Sequence, residues 1–180
     1  MYTVCGYGVA DPNHSDSRHY AGLEEYAQSI SDSASADPEE TTWIFCGGRT
    51  NSDSRLSEAE GQMRLDRRFA SQLLSLETPH LETKSRSTSE NLFFAEEIIR
   101  RYRMTDDGGR VVIFCDRPRA KKVRWLASKL MVNYAVEVVP MRRPDPHRDS
   151  SRLVQAIRLL ELKILWKRTH ARPQGMSYFH

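Results

Sequence analysis

The densest run of chemically capable side chains lies between Glu82 and Asn91, where Glu82, Ser85, Ser87, Thr88, Glu90 and Asn91 share ten residues with Lys84 and Arg86. These hydroxyls and cations lead straight into an apolar-periodic stretch that opens at Thr88. A helix start of this kind presents unpaired amides and the positive end of a helix dipole, which suits a phosphate or carboxylate. Gly47-Gly48-Arg49-Thr50 is a second such segment: two glycines permit positive φ and close backbone approach, and Arg49 adds a fixed cation. An ordinary tight turn is the plainer reading of the same glycines. Gly6 and Gly8 stand in the first loop. Asp116-Arg117-Pro118-Arg119-Ala120-Lys121-Lys122 forms a basic cluster from which one arginine can grip a phosphate in bidentate fashion, the others being solvated charge.

Carboxylates offer a different chemistry. Glu58, Glu82 and Glu90, if grouped, would hold Mg²⁺ or act as a general base, each raising the others' pKa until a divalent ion relieved the repulsion. Helix capping competes with this reading, because Ser57 with Glu60 and Ser87 with Glu90 both fit a capping box. Cys5 lies in the first expected strand, and Cys46 and Cys115 each close one. A reduced buried cysteine is ordinarily a small hydrophobe, and His14, His19 and His80 stand at no ligand spacing to the thiols, so no metal site is assigned. Three cysteines without a secretory signal also argue against a disulfide framework. Neither a glycine–serine elbow nor a catalytic-cysteine signature is present.

The elements that must position these residues follow from apolar periodicity. Strands are expected at Tyr2–Tyr7, Thr42–Cys46, Arg110–Cys115 and Tyr134–Val139, with Pro79–Thr83 as a fifth that has few apolar residues. Helices are expected at Asp16–Ser33, Ser57–Leu76, Thr88–Tyr102, Pro118–Met131 and Ser150–Thr169. Strict alternation of strand and helix predicts an α/β fold, a three-layer α/β/α Rossmann-like domain with a mainly parallel sheet of about five strands. In such a sheet ligands bind outside the strand carboxyl ends. A single domain is expected over residues 1–169, followed by a flexible tail at 170–180. Leu153, Val154, Ile157, Leu160, Ile164, Leu165 and Trp166 give the last helix an apolar face, expected to cover the sheet in preference to pairing with another subunit.

Bulk composition narrows the partners. The 180 residues carry 27 basic and 24 acidic side chains, a balance that does not call for nucleic acid. The arginines of Arg117–Arg124, with Arg142 and Arg143, lack an interleaved aromatic platform, so no nucleic-acid partner is expected. No apolar run reaches membrane-spanning length, and Met1–Ala10 lacks the basic flank and apolar core of a signal peptide. The expectation is a cytoplasmic protein without stable membrane insertion, monomeric or homodimeric.

Taken in order, these loops resemble the ElyC/SanA/YdcF family. The resemblance rests on Gly6–Val9, Phe45-Cys46-Gly47-Gly48, Ser57-Glu58-Ala59-Glu60 with Met63, Glu82-x-x-Ser85-x-x-Thr88-x-Glu90-Asn91, and Pro118-Arg119-Ala120, across residues 2 to 140. It implies a Rossmann-like fold with Gly47, Gly48, Glu58, Glu82, Ser85, Thr88, Glu90, Asn91 and Arg119 around a pocket. It further implies a small anionic, nucleotide-type ligand, with S-adenosylmethionine or a phosphorylated compound among the candidates. The alternatives are a metal-assisted hydrolase or transferase acting on a phosphorylated or pyrophosphorylated substrate, and a non-catalytic interaction module. One departure stands out: the family commonly has a histidine three positions before the arginine of the last motif, where this chain has Asp116.

Overall fold

The computed structural model describes residues 1–5, 18–34, 42–49, 55–69, 79–142 and 152–170. In chain order the elements are β1 (Tyr2–Cys5), α1 (Arg18–Ala34), β2 (Trp43–Cys46), α2 (Glu58–Phe69), β3 (His80–Glu82), α3 (Thr88–Tyr102), β4 (Arg110–Asp116), α4 (Ala120–Leu130), β5 (Ala135–Met141) and α5 (Arg152–His170). Every strand pair is parallel, and the strands lie in the order β3-β2-β1-β4-β5. The chain is thus an α/β protein with parallel strands, as its alternating pattern requires.

Boundaries differ from the pattern where local chemistry overrides it. Pro118 lacks an amide donor and sits in a 3-10 turn, Arg117–Arg119, so α4 opens at Ala120. β5 runs on through Pro140 to Met141, which an edge strand tolerates because its outer amides need no partner. β4 extends one residue beyond Cys115 to Asp116, so that cysteine is the penultimate residue of its strand. The helix expected to reach Leu76 is described through Phe69, and its remainder lies outside the described residues. α5 takes in His170, the first residue of the expected tail, and 171–180 lie outside the described residues.

β4 explains how the core is divided. Its residues are buried alternately to both sides, the condition that favours a continuous apolar run. Val111, Ile113 and Cys115 join Ile44 and Cys46 of β2 against Leu92, Ala95 and Ile99 of α3 and Val123 and Leu126 of α4. Val112 and Phe114 join Trp43 and Phe45 against Tyr26 and Ile30 of α1 and Ala59 of α2. Trp43 stacks on Phe45 and Phe114, with ring centroids 5.9 and 6.3 Å apart. Cys46 and Cys115 are buried thiols inside the first cluster. The Cys5 side chain lies outside the described set.

The register places Thr3 beside Ile44 and Ile113, on the face of that first cluster. Thr3 is fully buried and its Oγ1 has no hydrogen-bond partner among the described residues. A hydroxyl left unpaired in an apolar layer costs stability that a methyl of the same shape does not. Thr3→Val is therefore expected to raise unfolding stability by about 1 kcal/mol in urea titrations. A loss of stability in this variant would mean that the hydroxyl is bonded.

The expectation that α5 covers the sheet is corrected. Ile157, Leu160, Ile164 and Leu165 are exposed, and it is Trp166 that meets the body, edge-on to Trp125 of α4 at 5.9 Å. Among the described residues no helix is long and apolar enough to cross a membrane.

Candidate functional site

The carboxyl end of β2 is clasped to its neighbours through backbone. Gly47 N donates to Glu82 O at 2.9 Å and Gly48 N to Ser85 O at 2.8 Å. In return Gly47 O accepts from Ala59 N at 2.9 Å and Gly48 O from Glu58 N at 3.1 Å. The pair thus ties the β3–α3 loop to the first turn of α2. Gly47 has φ 144°, a conformation side chains rarely adopt. A Cβ on Gly48 would lie 2.3 Å from Ser85 O. The glycines are needed for close packing of two loops, and their amides, spent on carbonyls, do not form the anion cradle that their spacing suggested.

The first turn of α2 is closed in the same way. Ser57 Oγ accepts from Glu60 N at 3.1 Å, and Glu60 Oε2 accepts from Ser57 N at 2.7 Å and Ser57 Oγ at 2.9 Å, a complete capping box. The Ser57 backbone amide, then its hydroxyl, hold the Glu60 carboxyl below its ordinary value of 4.5, with Arg49 and Arg64 adding favourable charge against a desolvation that opposes them. Because the folded value is depressed, the stability contributed by Glu60 is present above pH 4.5 and is lost as pH falls through the lower folded value. Glu60→Gln should be less stable than the parent at neutral pH, and the two should converge in acid. A gap that stays constant down to about pH 3 would break this linkage.

The loop after β3 holds the polar residues of greatest interest. Glu82 is 4% exposed and its Oε1 accepts from Lys84 N at 2.6 Å and Ser85 N at 2.9 Å, so one oxygen braces the turn. The other oxygen, Oε2, is buried without a partner among the described residues, and so is the hydroxyl of Ser85, a residue 1% exposed. Ser87 caps α3 by accepting from Glu90 N at 3.2 Å, while Glu90 Oε2 accepts from Arg86 N at 2.5 Å. The capping reading of Glu90 therefore holds, with its return bond shifted from Ser87 to Arg86, and its carboxylate lies on the exposed side of the turn. Thr88 and Asn91 are buried on the inner side of the same turn. The first-turn amides of Thr88 and Ser89 find no acceptor among the described residues.

At the end of β4, Asp116 is buried and accepts from Nε of Arg119, whose side chain is itself nearly buried. The two meet because the 3-10 turn brings positions three apart onto one side. Arg49 is exposed beside the glycine clasp.

The structure thus gathers Gly47, Gly48, Glu58, Glu82 and Ser85 through the clasp, and sets Asp116 with Arg119 two strands away from β2, across β1. Gly6 and Gly8 lie outside the described residues. Glu58, Glu82 and Glu90 are not brought together as a metal-holding set: among the described residues no group of three or more His, Cys, Asp or Glu could hold a metal ion. Sequence reasoning missed the orphaned Oε2 and Oγ, since nothing local distinguishes a braced carboxylate from one with an oxygen to spare. Fold and site define a parallel α/β protein whose polar residues collect at the strand carboxyl ends. No family model, curated protein or solved structure matches the chain.

Proposed function

We propose that this chain is a three-layer, Rossmann-like domain of the ElyC/SanA/YdcF type that binds a small anionic, nucleotide-type ligand at the strand carboxyl ends. The observation that carries the reading is the pair of buried polar atoms without a partner among the described residues, Glu82 Oε2 and Ser85 Oγ, immediately before a helix whose Thr88 and Ser89 amides find no acceptor among those residues. A carboxylate oxygen with no donor asks for a hydroxyl or amino group, and open first-turn amides favour a phosphate or carboxylate. A nucleoside phosphate or S-adenosylmethionine offers both kinds of group, which is the sense in which these residues fit such a ligand. The strand order adds support, because it reverses between β1 and β4, and open α/β sheets bind ligands at that reversal. Arg119 stands in the turn that follows β4.

A thermal-shift and calorimetric screen with nucleotides and S-adenosylmethionine tests the reading. A ligand at one hundred times its Kd should stabilise the chain by about 2.7 kcal/mol. Ser85→Ala removes the orphaned hydroxyl and should leave the ligand-free protein as stable or more so, while weakening the ligand about tenfold. Absence of stabilisation by every compound at millimolar concentration, or parental affinity in Ser85→Ala, would overturn it.

A further inference from the structure

Resting on the ligand site proposed above, we infer that its ligand presents a free α-amino-carboxylate, with the ammonium on Glu82 and the carboxylate on the first amides of α3. Charge selects this chemistry. Among the described residues two acidic side chains are buried, Glu82 and Asp116, and no Lys, Arg or His side chain is. Asp116 has its counterion in Arg119. Glu82 has none among the described residues: Lys84 and Arg86, its neighbours in the loop, are exposed, as is Arg49 beside the glycine clasp. Glu82 Oε1 accepts from the amides of Lys84 and Ser85, while Oε2 meets no donor among the described residues. A buried carboxylate is stable when an opposite charge and hydrogen bonds reach it. The charge that Glu82 lacks is the one the ligand brings.

The same ligand needs an anion close by. The amides of Thr88 and Ser89 open the 15-residue α3 without an acceptor among the described residues, at the positive end of its dipole. The Ser85 amide that braces Glu82 and the Thr88 amide are three residues apart in the chain, so no more than about 11 Å separates them. An α-amino acid carries its ammonium and carboxylate about 3 Å apart, on one carbon. One hydrogen bond of ordinary length at each end extends that to about 9 Å, the same scale. Thr88 and Asn91, three apart on one face of α3, are buried on the inner side of that turn. A side-chain amide has an acceptor for an ammonium and a donor for a carboxylate, so Asn91 is equipped for both ends. A nucleoside phosphate suits the charges less well. Its oxygens would bring further negative charge beside a carboxylate without a counterion, and no buried cation stands among the described residues to offset it. An amino-carboxylate adds no net charge.

Calorimetric titration of the full chain with S-adenosylhomocysteine, 5′-methylthioadenosine, ADP and the free L-α-amino acids tests the assignment. The first two share an adenosine and a thioether and differ in the amino-carboxylate. S-adenosylhomocysteine should bind about a hundredfold more tightly than 5′-methylthioadenosine, and ADP no better than the latter. Glu82→Gln keeps an oxygen for the Lys84 and Ser85 amides and removes the charge, so its ligand-free unfolding midpoint should match or exceed the parent's. In that variant S-adenosylhomocysteine should weaken about thirtyfold and 5′-methylthioadenosine should be unchanged. 5′-Methylthioadenosine within about threefold of S-adenosylhomocysteine, ADP tighter than every amino-carboxylate, or parental affinity in Glu82→Gln would overturn the inference while leaving a nucleotide-type ligand in place. Binding of a free amino acid that Glu82→Gln abolishes, with no nucleoside bound, would uphold the α-amino-carboxylate and remove the nucleotide. No heat from any probe at millimolar concentration would overturn both.

Discussion

Gly48→Ala is expected to lower unfolding stability by about 3 kcal/mol. The new Cβ would sit 2.3 Å from Ser85 O and 2.9 Å from Thr83 O, and both atoms are backbone, so no side-chain rotation relieves the contact. One of the two loops must move. Moving the β3–α3 loop breaks the 2.8 Å bond from Gly48 N to Ser85 O, and moving the other pulls Gly48 O away from the first turn of α2. Overpacking alone costs about 1–3 kcal/mol, and a lost backbone bond adds about 1. Gly108→Ala is the natural comparison, since Gly108 has φ 85° and a Cβ added there would meet nothing within 4 Å. It should cost only the conformational penalty of about 1 kcal/mol. Urea denaturation of both variants separates the terms, with equal m-values expected. Equal losses in the two would show that the clasp contributes nothing beyond backbone conformation.

The same glycine shows where the sequence is readable and where it is not. β4 and α3 can be read locally, the first from an unbroken apolar run buried on both sides, the second from Ser87, Glu90 and a regular apolar face. β3 is faint because a three-residue edge strand draws its definition from pairing with β2, through Ile44–His80 and Phe45–Leu81, and hardly at all from its own composition. Two glycines after a strand announce only that backbone will come close to something. That the something is Ser85 O, and not a phosphate, depends on a loop 37 residues further on. Glu82 has the same character: its brace to Lys84 and Ser85 is local, but the isolation of its second oxygen is a property of the packed structure. For α5 the information is in the sequence. Trp166 and Ile164 are two residues apart, and at about 100° per residue they cannot share a face.

Asp116→Ala is expected to destabilise the chain by about 3 kcal/mol, and Arg119→Met by a similar amount, because each breaks a buried ion pair by removing one of its two members. The side chains are 3% and 14% exposed, so water reaches neither well enough to compensate. Asp116→Leu combined with Arg119→Met removes both charges and should cost far less than the two single losses together, giving a coupling of about 2 kcal/mol in a double-mutant cycle measured by urea unfolding. Additive losses would mean that the pair is not a coupled unit. The cycle also bears on ligand binding. By sequence Arg119 offers a cation to a phosphate, but its Nε is held by Asp116, so an anion arriving at the end of β4 meets a charge already balanced. Once corrected for stability, the loss of ligand affinity in Arg119→Met should therefore be smaller than that in Ser85→Ala. The opposite ranking would move the anion subsite from the start of α3 to the end of β4.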